Sequence, residues 1–134
     1  MPIKLTRLLI KTHHMTSRKK ISALTKAAGK YNVSVLLKVG SPPGIMLCEG
    51  VEGGRDGGKE EGGVKGWEGV VRRLRYKDIQ LLEREEIPEL ALVRLGIREG
   101  DVLEIEEIKE FGRLLERDPG LFGWWRRGMG FVRD

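Results

Sequence analysis

One amphipathic helix stands between two strand-like segments near the start of the chain, and this alternation constrains the fold more than any other feature. Four apolar residues recur at the three- and four-residue spacing of one helical face: Ile21, Leu24, Ala28 and Tyr31. Thr16 or Ser17 is a natural N-cap for this helix, and Asn32 is a natural end. The flanking runs, 3–12 and 33–39, are rich in Leu, Ile and Val, which favour strands. We therefore predict a strand, a helix and a second strand.

A similar alternation continues after this unit. The Gly40–Gly44 segment has the composition of a turn, and Ile45–Val51 reads as a third strand. A second helix is predicted over Val64–Arg75, followed by a fourth strand over Lys77–Glu85. Its buried face is formed by residues at the i, i+3, i+4 and i+7 positions: Trp67, Val70, Val71 and Leu74. The 52–63 segment contains only glycine and charged residues, so we expect a flexible loop there.

The order βαββαβ predicts an α+β protein with a ferredoxin-like core over residues 1–87. In this arrangement a four-stranded antiparallel sheet carries two helices on one face, and its other face is open. Residues 88–134 are predicted to form an acidic helical extension that packs on the core within the same domain. In this extension, 103–116 shows a helical apolar face and Pro119 begins a last short segment.

Charge is distributed unevenly along the chain. Residues 1–48 contain nine basic residues and no acidic one, and a second basic cluster spans Lys65–Lys77. Residues 81–118, in contrast, contain twelve acidic and six basic residues. Clustered bases of this kind are typical of a surface that binds a polyanion, although a solvated basic surface would give the same pattern.

Several other classes of protein do not fit the sequence. No apolar run is long enough to cross a membrane, and the single Cys48 excludes an internal disulfide and weakly indicates a reducing compartment. A mitochondrial transit peptide could resemble the basic N-terminus, but the apolar pattern of 5–10 favours a folded strand. The two histidines are adjacent, and there is no phosphate-binding loop, nucleophile triad or metal-ligand spacing. We therefore predict a binding module without enzymatic activity, cofactor or metal.

Several motifs in combination resemble the C-terminal domain family of the spliceosomal pre-mRNA-processing factor three, which also follows RWD domains in other proteins. They are listed in chain order: Arg7-Leu8-Leu9-Ile10, Thr12-His13-His14, Ser17-Arg18-Lys19-Lys20-Ile21, Pro42-Pro43-Gly44, Cys48-Glu49-Gly50 and the helix led by Trp67. The resemblance covers nearly the whole chain, but a preceding RWD domain is missing and the 52–63 segment is an insertion. It implies a ferredoxin-like core, binding of structured small nuclear RNA and a nuclear or nucleo-cytoplasmic location. A free-standing relative fits these departures best.

The predicted RNA-binding residues come from three places. They are His13 and His14 after the first strand, Ser17, Arg18, Lys19, Lys20, Lys26 and Lys30 on or beside the first helix, and Arg72, Arg73 and Arg75 on the second helix. Cations in the first turn of a helix are unfavourable with its dipole, which suggests that an anion binds there. We expect the lysines and arginines of the two helices to form one basic strip along an RNA backbone. Strands one and three contain no aromatic residue, so base stacking on the sheet is not expected.

A protein-interaction domain is the alternative function. In this interpretation the acidic extension, or a surface around Trp124 and Trp125, binds a protein partner. The aromatic residues near the C-terminus are better explained as core residues, because large aromatic side chains dominate protein interiors.

Overall fold

This computed structural model describes residues 3–53 and 62–132 of the chain. These residues contain five strands and five helices. The elements are β1 (Leu5–Thr12), α1 (Arg18–Tyr31), β2 (Ser34–Lys38), β3 (Gly44–Val51), α2 (Gly63–Leu74), β4 (Gln80–Ile87), α3 (Ala91–Arg94), β5 (Val102–Ile105), α4 (Ile108–Leu115) and α5 (Pro119–Met129). Most of the predicted 52–63 loop lies outside the described residues. Within them, no helix is long and apolar enough to cross a membrane.

The strands form one mixed sheet in the order β4-β1-β3-β2-β5. The pairs among β1 to β4 are antiparallel, with Leu8 opposite Cys48, whereas β5 runs parallel to β2 with Val102 opposite Val35. The protein is therefore α+β as predicted. The prediction of a four-stranded, wholly antiparallel sheet was wrong, because the sheet has five strands and one parallel pair. We had also included Leu103 in a helical segment. Leu103 instead lies in β5, which forms a strand because it pairs with β2. This pairing joins segments far apart in the chain, so the local sequence gives no sign of it.

Helices α1 and α2 lie side by side on one face of the sheet, as predicted. Helix α1 begins at Ser17, whose hydroxyl accepts the Lys20 N–H at 3.2 Å, and ends at Asn32 in the left-handed conformation. Helix α2 is fixed against α1 by Trp67, whose fully buried indole donates a 3.2 Å hydrogen bond to the Leu24 carbonyl. This contact sets how the basic residues of the two helices lie relative to one another.

The opposite face of the sheet is covered by the C-terminal part of the chain. Leu9 of β1 and Leu47 of β3 are fully buried on this side. The residues from α3, α4 and α5 that cover them are Ala91, Leu92, Phe111, Leu115, Leu121, Trp124 and Trp125. The open sheet face that we had expected therefore does not exist, because the extension buries it.

A buried ion pair joins this second layer to the sheet. Glu49 of β3 is fully buried, and its Oε2 lies 2.5 Å from Nε of Arg7 on β1. The second oxygen of Glu49 accepts the Leu92 N–H of α3 at 2.7 Å, and the Arg7 guanidinium lies 5.0 Å from the ring centroid of Trp124 on α5. One carboxylate thus connects two strands with the helical extension.

Candidate nucleic-acid interface

The loop between β1 and α1 meets the loop between α2 and β4 at one end of the domain. The His13 N–H donates to the Lys77 carbonyl at 3.1 Å, and Lys20 Nζ lies 3.5 Å from the Arg75 carbonyl. We refer to the residues gathered there as the end cluster: His13, His14, Lys19, Lys20, Arg75 and Lys77. Lys77 was not among our predicted site residues, although it belongs to the Lys65–Lys77 basic cluster that the sequence shows.

Both histidines belong to the end cluster because β1 ends before them. On a continuing strand their side chains would point to opposite faces. The strand stops at Thr12, and the two exposed imidazole rings lie with their centroids 5.0 Å apart at a tilt of 53°. Neither imidazole is buried in the core, so both are accessible to a ligand.

The first turn of α1 is only partly available to an anion. The Ser17 hydroxyl is used as the N-cap. The Arg18 guanidinium makes two hydrogen bonds, of 2.7 and 3.0 Å, to the carboxylate of Glu104 on β5. This pairing lowers the pKa of Glu104 and raises that of Arg18. The counter-ion of Arg18 is thus an acidic residue of the C-terminal extension, 86 positions away in the sequence.

Arg72 is also paired with an acidic residue. Its guanidinium lies 3.0 Å from Glu68, one helical turn earlier, and it lines a groove that faces β4. Neighbouring Arg73 is exposed, and its guanidinium lies back along the helix beside Gly69. Arg72 is therefore the one of the three predicted arginines of α2 that has an acidic partner among the described residues.

The remaining lysines of α1 lie away from the end cluster. Lys26 and Lys30 are exposed on later turns of the helix. At a rise of 1.5 Å per residue, Lys30 is about 15 Å along the helix from Lys20. Its ammonium group lies 5.2 Å from the ring centroid of Tyr31. These two residues are placed to contact only a ligand that extends along the helix.

The four basic side chains of the end cluster have no acidic partner among the described residues. Within residues 3–53 and 62–132, none of Lys19, Lys20, Arg75 and Lys77 forms a salt bridge. Lys20 lies 4.9 Å from the ring centroid of Tyr76, and burial raises the pKa of that phenol to about 12. The phenol therefore stays neutral and adds no negative charge beside Lys20. The arrangement can bind phosphate oxygens through several ammonium and guanidinium groups at once.

The turn motif behind the resemblance lies next to the end cluster. A side chain at position 44 would place its Cβ 2.2 Å from the Thr12 hydroxyl and 3.2 Å from the His14 carbonyl carbon. The Pro-Pro-Gly turn therefore packs closely against the Thr-His-His segment, and this close approach requires glycine. No family model matches the chain, and no curated protein matches it. The resemblance to a family thus rests on these motifs alone.

The two tryptophans that we considered for a protein partner are buried. Trp124 and Trp125 are 7% and 3% exposed, and the Trp124 indole donates to Glu85 at 2.9 Å. Trp125 packs between Phe111 and Phe122, with centroid separations of 5.3 and 6.0 Å. Both indoles are core residues, so neither offers a surface for docking.

Proposed function

We propose that this chain is an RNA-binding module, and not an enzyme, that contacts the phosphate backbone through the end cluster. The observation that carries the proposal is the set of four basic side chains, Lys19, Lys20, Arg75 and Lys77, which have no acidic partner within the described residues and lie around the first turn of α1. A helix N-terminus adds unsatisfied N–H groups to their charge, and both attract phosphate.

Backbone contacts are favoured over base stacking for two reasons. The sheet face that stacks bases in many RNA-binding domains is covered here by α3, α4 and α5. The end cluster itself offers cations and two imidazoles but no exposed aromatic ring of Phe, Tyr or Trp, since Tyr76 is only 7% exposed. We therefore expect binding that depends strongly on salt and weakly on base sequence.

A ferredoxin-like core is part of the same proposal. The order β4-β1-β3-β2, its antiparallel pairings and the placement of α1 and α2 on one face support it. β5 and the C-terminal helices would then be additions to that core. The motif resemblance supports a structured small nuclear RNA as the ligand and the nucleus as the location.

Charge reversal at the end cluster tests the proposal. The variant K19E/K20E/R75E/K77E is compared with K109E/R117E/R126E/R127E, which changes the net charge equally at exposed positions outside the predicted RNA-binding residues. Affinity for a fluorescein-labelled hairpin RNA is measured by anisotropy between 50 and 300 mM KCl, and thermal melting shows whether each variant is folded.

We expect the first variant to lose most of its affinity and the control to lose little. If all four cations contact phosphates, the slope of log K against log [salt] becomes shallower by about 3 to 4 in the first variant. Equal losses in both variants would mean that net charge alone attracts the RNA. Unchanged binding by the folded end-cluster variant would refute the proposal.

A further inference from the structure

Strand β4 forms one margin of the sheet, and no described residue pairs with its outer edge. On one side α5 covers the strand, where Trp124 bonds to Glu85 and Gly128 lies close to Glu83. On the other side α2 stands back and leaves an open groove of about 500 Å³. An unpaired strand edge beside such a groove is the arrangement that proteins use to bind extended peptides.

The groove combines cationic groups with apolar surface. It is lined by Lys65, Glu68, Gly69, Arg72, Leu81 and Arg84. These residues carry three positive charges and one negative charge, so the lining has a net charge of +2. Leu81 is 47% exposed and Ile79, just before the strand, is 39% exposed, which leaves apolar surface at the start of β4.

Glu68 holds the two arginines of the groove in place. Its carboxylate is nearly buried, and both of its oxygens are used: Oε1 accepts from Arg84 at 2.5 Å and Oε2 accepts from Arg72 at 3.0 Å. A guanidinium has five N–H donors, and Arg72 uses one of them on Glu68, so most of its donors remain free for another acceptor. Arg84 also lies 3.7 Å from Glu52, so its guanidinium is held between two carboxylates. The groove is thus preorganised for a carboxylate, because its cations are already fixed.

An extended peptide fits this surface better than RNA or a second copy of the chain. β4 itself carries Glu83, Glu85 and Glu86, which repel a polyanion that follows the strand. A second copy would bring its own β4, with three glutamates and one arginine, beside the same residues, and two edges of like net charge repel. A peptide strand can instead place acidic side chains over the arginines and basic side chains beside the glutamates.

We propose that the outer edge of β4 binds an extended peptide of a partner protein by strand addition. The peptide side chains that face the groove are alternately acidic, against Arg72 and Arg84, and apolar, against Leu81. Side chains on one face of a strand recur every two residues, about 6.8 Å apart, so one acidic and one apolar residue at i and i+2 satisfy the pattern. This docking does not depend on RNA binding at the end cluster.

The experiment uses a synthetic probe, an acetylated peptide with the sequence Lys-Glu-Thr-Val repeated twice. In an extended conformation its Glu and Val side chains share one face. A control peptide replaces both Glu by Lys. Binding to the full chain is followed by the amide chemical shifts in ¹H–¹⁵N correlation spectra. We expect a Kd below 1 mM with shifts centred on 80–87, and at least tenfold weaker binding of the control peptide.

Protein variants test the groove, and they distinguish this proposal from RNA binding. R72E/L81K should bind the probe at least tenfold more weakly, whereas R73E/V93K, a matched change at exposed positions outside the groove lining, should bind it normally. The end-cluster variant K19E/K20E/R75E/K77E should also bind the probe normally. Equal probe binding by R72E/L81K and the parent chain would overturn the proposal, as would no binding at 1 mM. It would also fail if hairpin RNA displaced the probe from β4.

N-methylated probes test the strand pairing itself. Only alternate residues of an added strand point their N–H groups at the edge. One probe is methylated at the Glu and Val nitrogens and a second at the Lys and Thr nitrogens. One of the two should therefore lose binding and the other should keep it. Loss of binding by both methylated probes, or by neither, would contradict the proposed pairing of the peptide with the β4 edge.

Discussion

The Arg7–Glu49 ion pair gives the strongest prediction about stability. Removing one partner of a buried pair leaves the other charge without compensation. In the E49A variant Arg7 would keep its charge beside Trp124, where its side chain is only 11% exposed, and the Leu92 N–H would lose its acceptor. We therefore expect E49A to lower the free energy of unfolding markedly.

The magnitude follows from the burial of the pair. Breaking a buried ion pair by removing one partner costs about 3–5 kcal/mol. The total stability of a domain of this size is about 5–15 kcal/mol, so E49A should remove a large fraction of it. The E49Q variant keeps an acceptor for Leu92 and should lose less. The double variant R7M/E49L removes both charges and should lose less stability than E49A, because no uncompensated charge remains and only the Leu92 N–H is left without an acceptor.

Urea denaturation followed by tryptophan fluorescence measures these differences. The three tryptophans of the chain provide the signal, and Trp124 lies beside Arg7. The expected order of stability is parent, then E49Q, then E49A, with R7M/E49L more stable than E49A. A loss below 1 kcal/mol in E49A would refute the reasoning. So would a double variant as unstable as E49A, because the cost would then come from packing and not from an uncompensated charge.

Two further substitutions test the other ion pairs that involve the extension. The E104Q variant frees Arg18 for the proposed RNA ligand, so the salt slope of RNA binding should become steeper by about 0.9, and an unchanged slope would contradict this. The D118A variant removes the N-cap of α5 and should cost about 1 kcal/mol. Because Arg94 lowers the pKa of Asp118, the difference between D118A and the parent should be full above about pH 4 and shrink as the pH falls through the folded-state pKa, to the part that the neutral carboxyl still contributes as an N-cap. A difference that did not change with pH would contradict this.

The sequence predicted the first six elements because each of them carries a local pattern. The apolar spacing around Leu24 and the cap at Ser17 act within a few residues, and α1 forms where they placed it. The fourth strand was placed about three residues too early, since it begins at Gln80. β5 was missed because a four-residue strand has too few residues to show a period, and its partner β2 lies far away in the sequence.

The sequence also located the basic residues but not their counter-ions. The partner of Arg72 could have been found, because Glu68 precedes it by four residues and such pairs meet on a helix surface. Glu104 gave no comparable signal, since it reaches Arg18 only after β5 has joined the sheet. Net charge counts both arginines as equal to Lys19, whereas the fold places an acidic partner beside each arginine and none beside the lysine among the described residues.

The acidic extension and the basic first half of the chain meet on one surface of the protein. After β4 the extension crosses the far face of the sheet and returns at β5 beside the start of α1. There Glu104 forms an ion pair with Arg18. The acidic residues of the extension therefore limit the basic surface on that side. The end cluster stays charged on the other side, where Lys20 meets the end of α2. A ligand that depends on the end cluster should approach from the α2 side of α1, and shifting its footprint toward β5 would require the Arg18–Glu104 pair to open first.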